Sequence, residues 1–176
     1  RTPSVWNAFC RSIGLSAVLK ASPIFSADAY GGWRRDTVRE VDIVSGCLLL
    51  IRSDLWLALQ GFDTRYFMYG EDWDLCLRAR ASGSRVLFTP DAEIVHYGGA
   101  SEPTRVDKVV RLFKTKVQLF DQHWREPQRF ALKALLVVYA LRSLVQNAAL
   151  SALDPAHQCG AAAWRGVLAR RREWLS

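Results

Sequence analysis

A chain of 176 residues, 50% of them hydrophobic, suits one domain or a large piece of one and excludes an intrinsically disordered segment. Its 24 Lys+Arg against 17 Asp+Glu leave a net charge of +7. Basic residues dominate after Ser101, which favours anionic neighbours: phosphate groups, nucleic acid or a membrane surface.

The cysteines Cys10, Cys47, Cys76 and Cys159 form no C-x-x-C pair. That spacing excludes a zinc knuckle and reads as reduced, mostly buried thiols in a cytosolic protein. The N-terminus carries no apolar signal-peptide core, and it starts at Arg1 without a methionine, as a fragment or processed product would.

In chain order, "SVWNAFCRSIGL" predicts a helix with Ser4 as N-cap and Gly14 near its end. "SPIFSADAYGGWRRD" reads as a loop. Residues 41–52, "VDIVSGCLLLIR", are rich in β-branched and aliphatic side chains and predict a buried strand, with Gly46 marking a bulge or a close approach. "SDLWLALQGFD" predicts a short helix capped by Ser53 or Asp54 and stopped at Gly61. "EDWDLCLRARASG" is the clearest helix, with acids in its first turn, arginines later and Gly83 beyond its end. Two strand-like pieces follow, Arg85–Thr89 and Glu93–His96, around a Pro90-Asp91 turn, and then the Gly98-Gly99 loop.

From Thr104 the pattern turns helical. Val106, Val109, Val110, Phe113, Val117 and Phe120 recur at the 3.6-residue period. Pro127 opens a helix to about Leu153, Asp154-Pro155 breaks it, and Ala161–Trp174 predicts a last basic helix.

The acids of the Glu71–Ser82 helix separate by face. Asp74 stands four residues before Arg78, the spacing of a surface ion pair. Asp72 shares its stripe with Leu75, Cys76 and Ala79, at a helix N-terminus where the dipole and free amides favour an ionised carboxylate. That placement suits a helix cap and a carboxylate base alike. His96, at a strand end before a glycine loop, suits a loop hydrogen bond or a ligand to metal or phosphate. His123 and His157 lack acidic company and receive no role.

Several elements in order, V-S-G-C-L-L-L-I-R, G-F-D, F-M-Y-G-E-D-W-D-L-C-L-R, P-D-A and V-H-Y-G-G-A-S, closely resemble the second half of family 2 glycosyltransferases, especially the bacterial rhamnosyltransferase-like branch. The resemblance covers Val41 to Ser101. It implies an α/β fold: a partial GT-A (Rossmann-like) domain with a small mixed sheet over 1–103, the acceptor-side half, followed by a largely α-helical extension over 104–176. It implies an inverting transfer from a nucleotide-sugar donor to a glycan or lipid-linked acceptor in cell-envelope polysaccharide synthesis. Asp72 takes the place of the family's catalytic base. Glu71, Trp73, Ser45, Gly46 and Cys47 fall at the acceptor site, and His96 matches a ligand to a divalent cation, Mg²⁺ or Mn²⁺.

The family's nucleotide-binding half, with its D-x-D motif, has no counterpart here. "DWD" at Asp72–Asp74 follows the E-D element on a helix and is not read as that motif. This chain alone is therefore expected not to transfer sugar. The alternative is a non-catalytic remnant that serves as a partner- or membrane-binding module.

The uninterrupted apolar run Ala134–Leu141 in the long C-terminal helix is shorter than the roughly twenty residues of a bilayer span. A packed helix is one reading. Peripheral membrane contact through the basic C-terminal helices, using Trp164, Trp174 and the arginines at 170–172, is the other. Such contact would place the protein in the cytoplasm or at the inner face of the cytoplasmic membrane. No groove-reading motif supports a nucleic-acid partner. A homo-oligomer stays open.

Overall fold

The computed structural model describes residues 1–97, 105–154 and 158–176, and of Gln158 the backbone only. The predicted Gly98-Gly99 loop and the Pro155 helix break lie outside them.

Among the described residues the chain is mainly helical. Helix α1 spans Val5–Ser12, and the Ser4 hydroxyl accepts the Asn7 amide as its cap. A short α2, Leu15–Val18, starts after Gly14, and a 3₁₀ turn occupies Ala27–Ala29. Helix α3 covers Ser53–Ala58, starting one residue earlier than a Ser53 cap requires, with Arg52 at the N-cap and no side-chain cap. Gly61 follows with φ +69° against the Trp56 ring. Helix α4 is Glu71–Ala81, and Gly83 lies beyond its end at φ +87°.

The C-terminal layer consists of α5 (Arg105–His123), α6 (Glu126–Leu153), α7 (Gln158–Ala169) and α8 (Arg171–Leu175). The periodic face of α5 is its buried face, as the spacing predicts: Val110, Phe113, Val117 and Phe120 meet Leu132, Leu136 and Ala140 of α6. Val5 and Ala8 of α1 pack against the same cluster. The last helix is broken in two at Arg170, whose guanidinium binds Asp107 of α5 and Glu173.

Several sequence expectations need correction. Among the described residues, sheet structure is a single antiparallel pair, β1 (Arg39–Glu40) with β2 (Leu87–Phe88), rather than a mixed sheet. One more bond, from the Val41 amide to the Val86 carbonyl, extends it. Residues 42–52 are not a strand. The chain turns at Gly46-Cys47, and Leu48 and Leu50 are 51% and 99% exposed. Glu93–His96 is likewise exposed and irregular, and the Arg85–Thr89 strand shrinks to two residues. The physical reason is common to all three: β-forming side chains make a strand only beside another strand that completes the hydrogen bonds, and no such neighbour stands there among the described residues.

The aromatic residues expected at a membrane surface lie in the core instead. Trp164 and Trp174 are 5% and 0% exposed, and the Trp174 indole donates to the Val167 carbonyl at 3.0 Å. Their apolar area is already removed from water by the protein itself. Conversely, an 18-residue window of α6 reaches a mean hydropathy of 1.4, so this helix is long and apolar enough to cross a membrane by length and composition. The short uninterrupted run understated it, because single polar residues interrupt the helix without lowering its mean far. Cysteines divide evenly rather than being mostly buried: Cys10 and Cys76 are buried, Cys47 and Cys159 exposed.

Candidate active site

Helix α4 enters through a tight left-handed turn. Tyr69 and Gly70 have φ of +70° and +85°, and a Cβ on Gly70 would stand 2.2 Å from the Thr115 methyl of α5. Only glycine fits there without displacing α5. The turn aims the first residues of α4, Glu71 to Trp73, toward the 45–47 loop.

Asp72 receives two backbone amides. The Gly46 N–H donates to Oδ2 at 2.8 Å, and the Trp73 N–H donates to Oδ1 at 2.9 Å. Gly46 comes so close that its missing Cβ would lie 3.4 Å from the Asp72 Cβ. Ser45 and Cys47 flank this contact, with the Ser45 hydroxyl 3.1 Å from the Cys47 Sγ. The fold thus joins Asp72 to the Ser45-Gly46-Cys47 loop, 26 residues apart in sequence. Both oxygens of the carboxylate are oriented by backbone N–H groups, one from the 45–47 loop and one from the first turn of α4. Neighbouring Glu71 keeps Oε2 enclosed without a hydrogen-bond partner among the described residues.

A cavity of about 1220 Å³ opens beside this loop, and Ser45, Cys47 and Trp73 form part of its wall. It continues over the helical layer past Leu48, Leu50 and Lys116. Burial, reinforced by the charge of Arg11, pushes the Lys116 ammonium down to about 8. The sign follows from linkage. Between about 8 and the ordinary 10.5 the unfolded chain binds more protons, so stability rises with pH across that window. Lys116→Met is expected to stabilise the protein by about 1 kcal/mol at pH 7, after discounting for partial exposure. Urea titrations should show that advantage shrinking above pH 8.

His96 does not join the site. It is exposed, and among the described residues it makes no hydrogen bond or ion pair. Among the described residues no three His, Cys, Asp or Glu side chains converge in a way that could hold a metal ion. The cation site that the resemblance implies pairs His96 with D-x-D aspartates of a half that has no counterpart in this chain, so these residues by themselves would not complete it.

Sequence reasoning missed the most buried polar group. Asp74 pairs with Arg78 at 2.6 Å as the i,i+4 spacing predicts, but its side chain is fully buried rather than on the surface. It also accepts Gln122 Nε2 at 3.1 Å and meets His123 Nε2 at 2.8 Å, so His123 does have acidic company. Arg78 continues to the carbonyls of Leu59 and Gly61 at 2.6 and 2.9 Å, and the Tyr66 hydroxyl donates to Gln122. Burial and the charge of Asp74 push the Tyr66 phenol up. This clasp ties α4 to the last turn of α5 and so sets the position of Asp72. The available signal was the coincidence of a strong i,i+4 pair with a helix otherwise apolar on that side. Asp63, by contrast, is local: Arg65 holds its carboxyl down at about 2.

Parts of the chain that carry these residues are similar to known proteins. Residues 32–115 match the family described as "Glycosyltransferase like family 2". The N-acetylglucosaminyl-diphospho-decaprenol L-rhamnosyltransferase of Mycobacterium tuberculosis is 38% identical over 112 residues, 60% of this chain and 35% of that protein. Rhamnosyltransferase WbbL of Escherichia coli is 44% identical over 62 residues, 35% of this chain and 23% of that protein. The O-antigen biosynthesis protein RfbC of Myxococcus xanthus is 32% identical over 83 residues, 47% of this chain and 6% of its own length. The chain thus spans about a third or less of the curated relatives it matches. No solved structure matches. The 32–115 segment, which contains the Ser45–Cys47 loop and helix α4, thus resembles family 2 glycosyltransferases, and two of the relatives it matches are rhamnosyltransferases.

Proposed function

We propose that this chain provides the acceptor side of an inverting glycosyltransferase that uses a nucleotide-activated sugar and acts on a lipid-linked or glycan hydroxyl in cell-envelope polysaccharide synthesis. Asp72 is the base. As the acceptor oxygen bonds to the anomeric carbon, its proton passes to the Asp72 carboxylate. The bond from that carbon to the donor phosphate breaks, and the nucleoside diphosphate leaves with the electron pair. The observation that carries this reading is the Asp72 carboxylate, held by the Gly46 and Trp73 amides and flanked by Ser45 and Trp73 of the cavity wall. Ser45, Cys47 and Trp73 line the approach, and the glycine at 46 lets the backbone come close to Asp72.

The test is transfer, by the full-length protein that carries this acceptor side together with a nucleotide-binding half, of radiolabelled rhamnose from its nucleotide-activated form to N-acetylglucosaminyl-diphospho-polyprenol, read as label in the organic phase. Label above a no-acceptor control is the expected result. Its absence over a panel of activated hexoses and glycan acceptors would instead favour a binding module without catalysis.

A further inference from the structure

Helix α6 has one face in the core and another with no partner. Leu132, Leu136, Ala140 and Ser143 are buried on the inner face. Phe130, Ala134, Val138, Leu141, Val145 and Ala149 stand exposed on the outer face, at steps of three or four residues. This stripe contains no charge and no hydrogen-bonding side chain over about 28 Å of helix, at 1.5 Å per residue. Phe130 and Val145 are 76% and 67% exposed. Such a continuous apolar surface is not left in water without a function.

Three observations identify what covers it. The stripe is built of Phe, Leu, Val and Ala, side chains that an acyl layer takes up with no polar atom left to satisfy. The helix has the mean hydropathy of a bilayer-crossing segment, yet its inner face is packed against Phe113 and Trp164. Crossing a membrane would strip that core apart, whereas lying flat would not. Finally, the chain carries a net charge of +7, and exposed Arg125 stands at the head of the helix, so anionic headgroups attract it.

We infer that the outer face of α6 beds in the interfacial layer of an anionic lipid bilayer, with the helix axis along the membrane plane. The membrane surface of this protein is then α6, and not the buried tryptophans of α7 and α8. This assignment is independent of the transfer reaction, since it is measured with no sugar donor present.

The test is flotation of the protein with vesicles of phosphatidylcholine, with and without phosphatidylglycerol. Wild-type protein is expected to float with the mixed vesicles, more weakly as salt rises. The double variant V138E/V145E is expected to bind at least tenfold more weakly, with an unchanged circular dichroism spectrum and thermal midpoint. Because both positions are exposed, the fold does not depend on them. A milder L141Q variant should lose part of the binding in the same direction. Equal flotation of wild type and V138E/V145E would overturn the assignment. So would a stable dimer in sedimentation that the double variant converts to monomers, because a second copy would then own the stripe.

Discussion

Replacing Asp72 by asparagine should lower sugar transfer by about 10²- to 10⁴-fold while leaving the fold intact. The substitution keeps the shape and retains a carbonyl oxygen to accept the Gly46 amide, so the 45–47 loop stays docked on α4. What disappears is the ability to take the acceptor proton. Urea denaturation should therefore change by less than about 1 kcal/mol, a lost or altered single hydrogen bond. Transfer at near-normal rate by Asp72→Asn, with label still reaching the acceptor, would remove Asp72 from the role of base. Glu71→Gln provides the contrast. Its enclosed Oε2 makes no hydrogen bond, so a smaller loss of rate is expected there.

Asp74→Ala should be the more damaging change to stability, about 3–5 kcal/mol. The carboxylate is fully buried and joins Arg78, Gln122 and His123, so its removal leaves the Arg78 guanidinium without its counter-charge. For a domain of this size the midpoint of thermal unfolding should fall by roughly 6–20 °C. Asp74→Asn should lose less, since an oxygen remains to accept one donor, but its amide group would face donors on the other side. A loss under about 1 kcal/mol for Asp74→Ala would show that the clasp is not what holds α4 to α5. Because the clasp sets the start of α4, transfer should fall in the same variant, but with recovery at low temperature where the fold persists. Asp72→Asn would not recover, and this difference separates positioning from chemistry.

Much of the local structure was legible in the residues. Ser4 caps α1 because a hydroxyl three residues before Asn7 satisfies its amide with no help from elsewhere. The boundaries of α4 followed from the acidic first turn, the later arginines and Gly83, and the buried face of α5 followed from its period. The ordered motifs from Val41 onward also pointed to Asp72 and to the 45–47 loop, which the fold brings together through one hydrogen bond. What failed were inferences needing a neighbour. The run at 42–52 has strand composition but no strand beside it, and the i,i+4 spacing of Asp74 and Arg78 reads the same whether exposed or buried.

The sequence by itself marked most of the longer helices and the ordered motifs that resemble the family, because each depends on residues close in the chain or on motif identity, and the same resemblance singled out Asp72. Only the tertiary structure decided that Asp74 is a buried hub with His123, that Trp164 and Trp174 belong to the core, and that the apolar face left outward is that of α6. The reason is that burial is a property of what packs against a residue. Hydropathy along the chain says which faces seek cover, and only the packing of α1, α5, α6 and α7 says which of them find it within the protein.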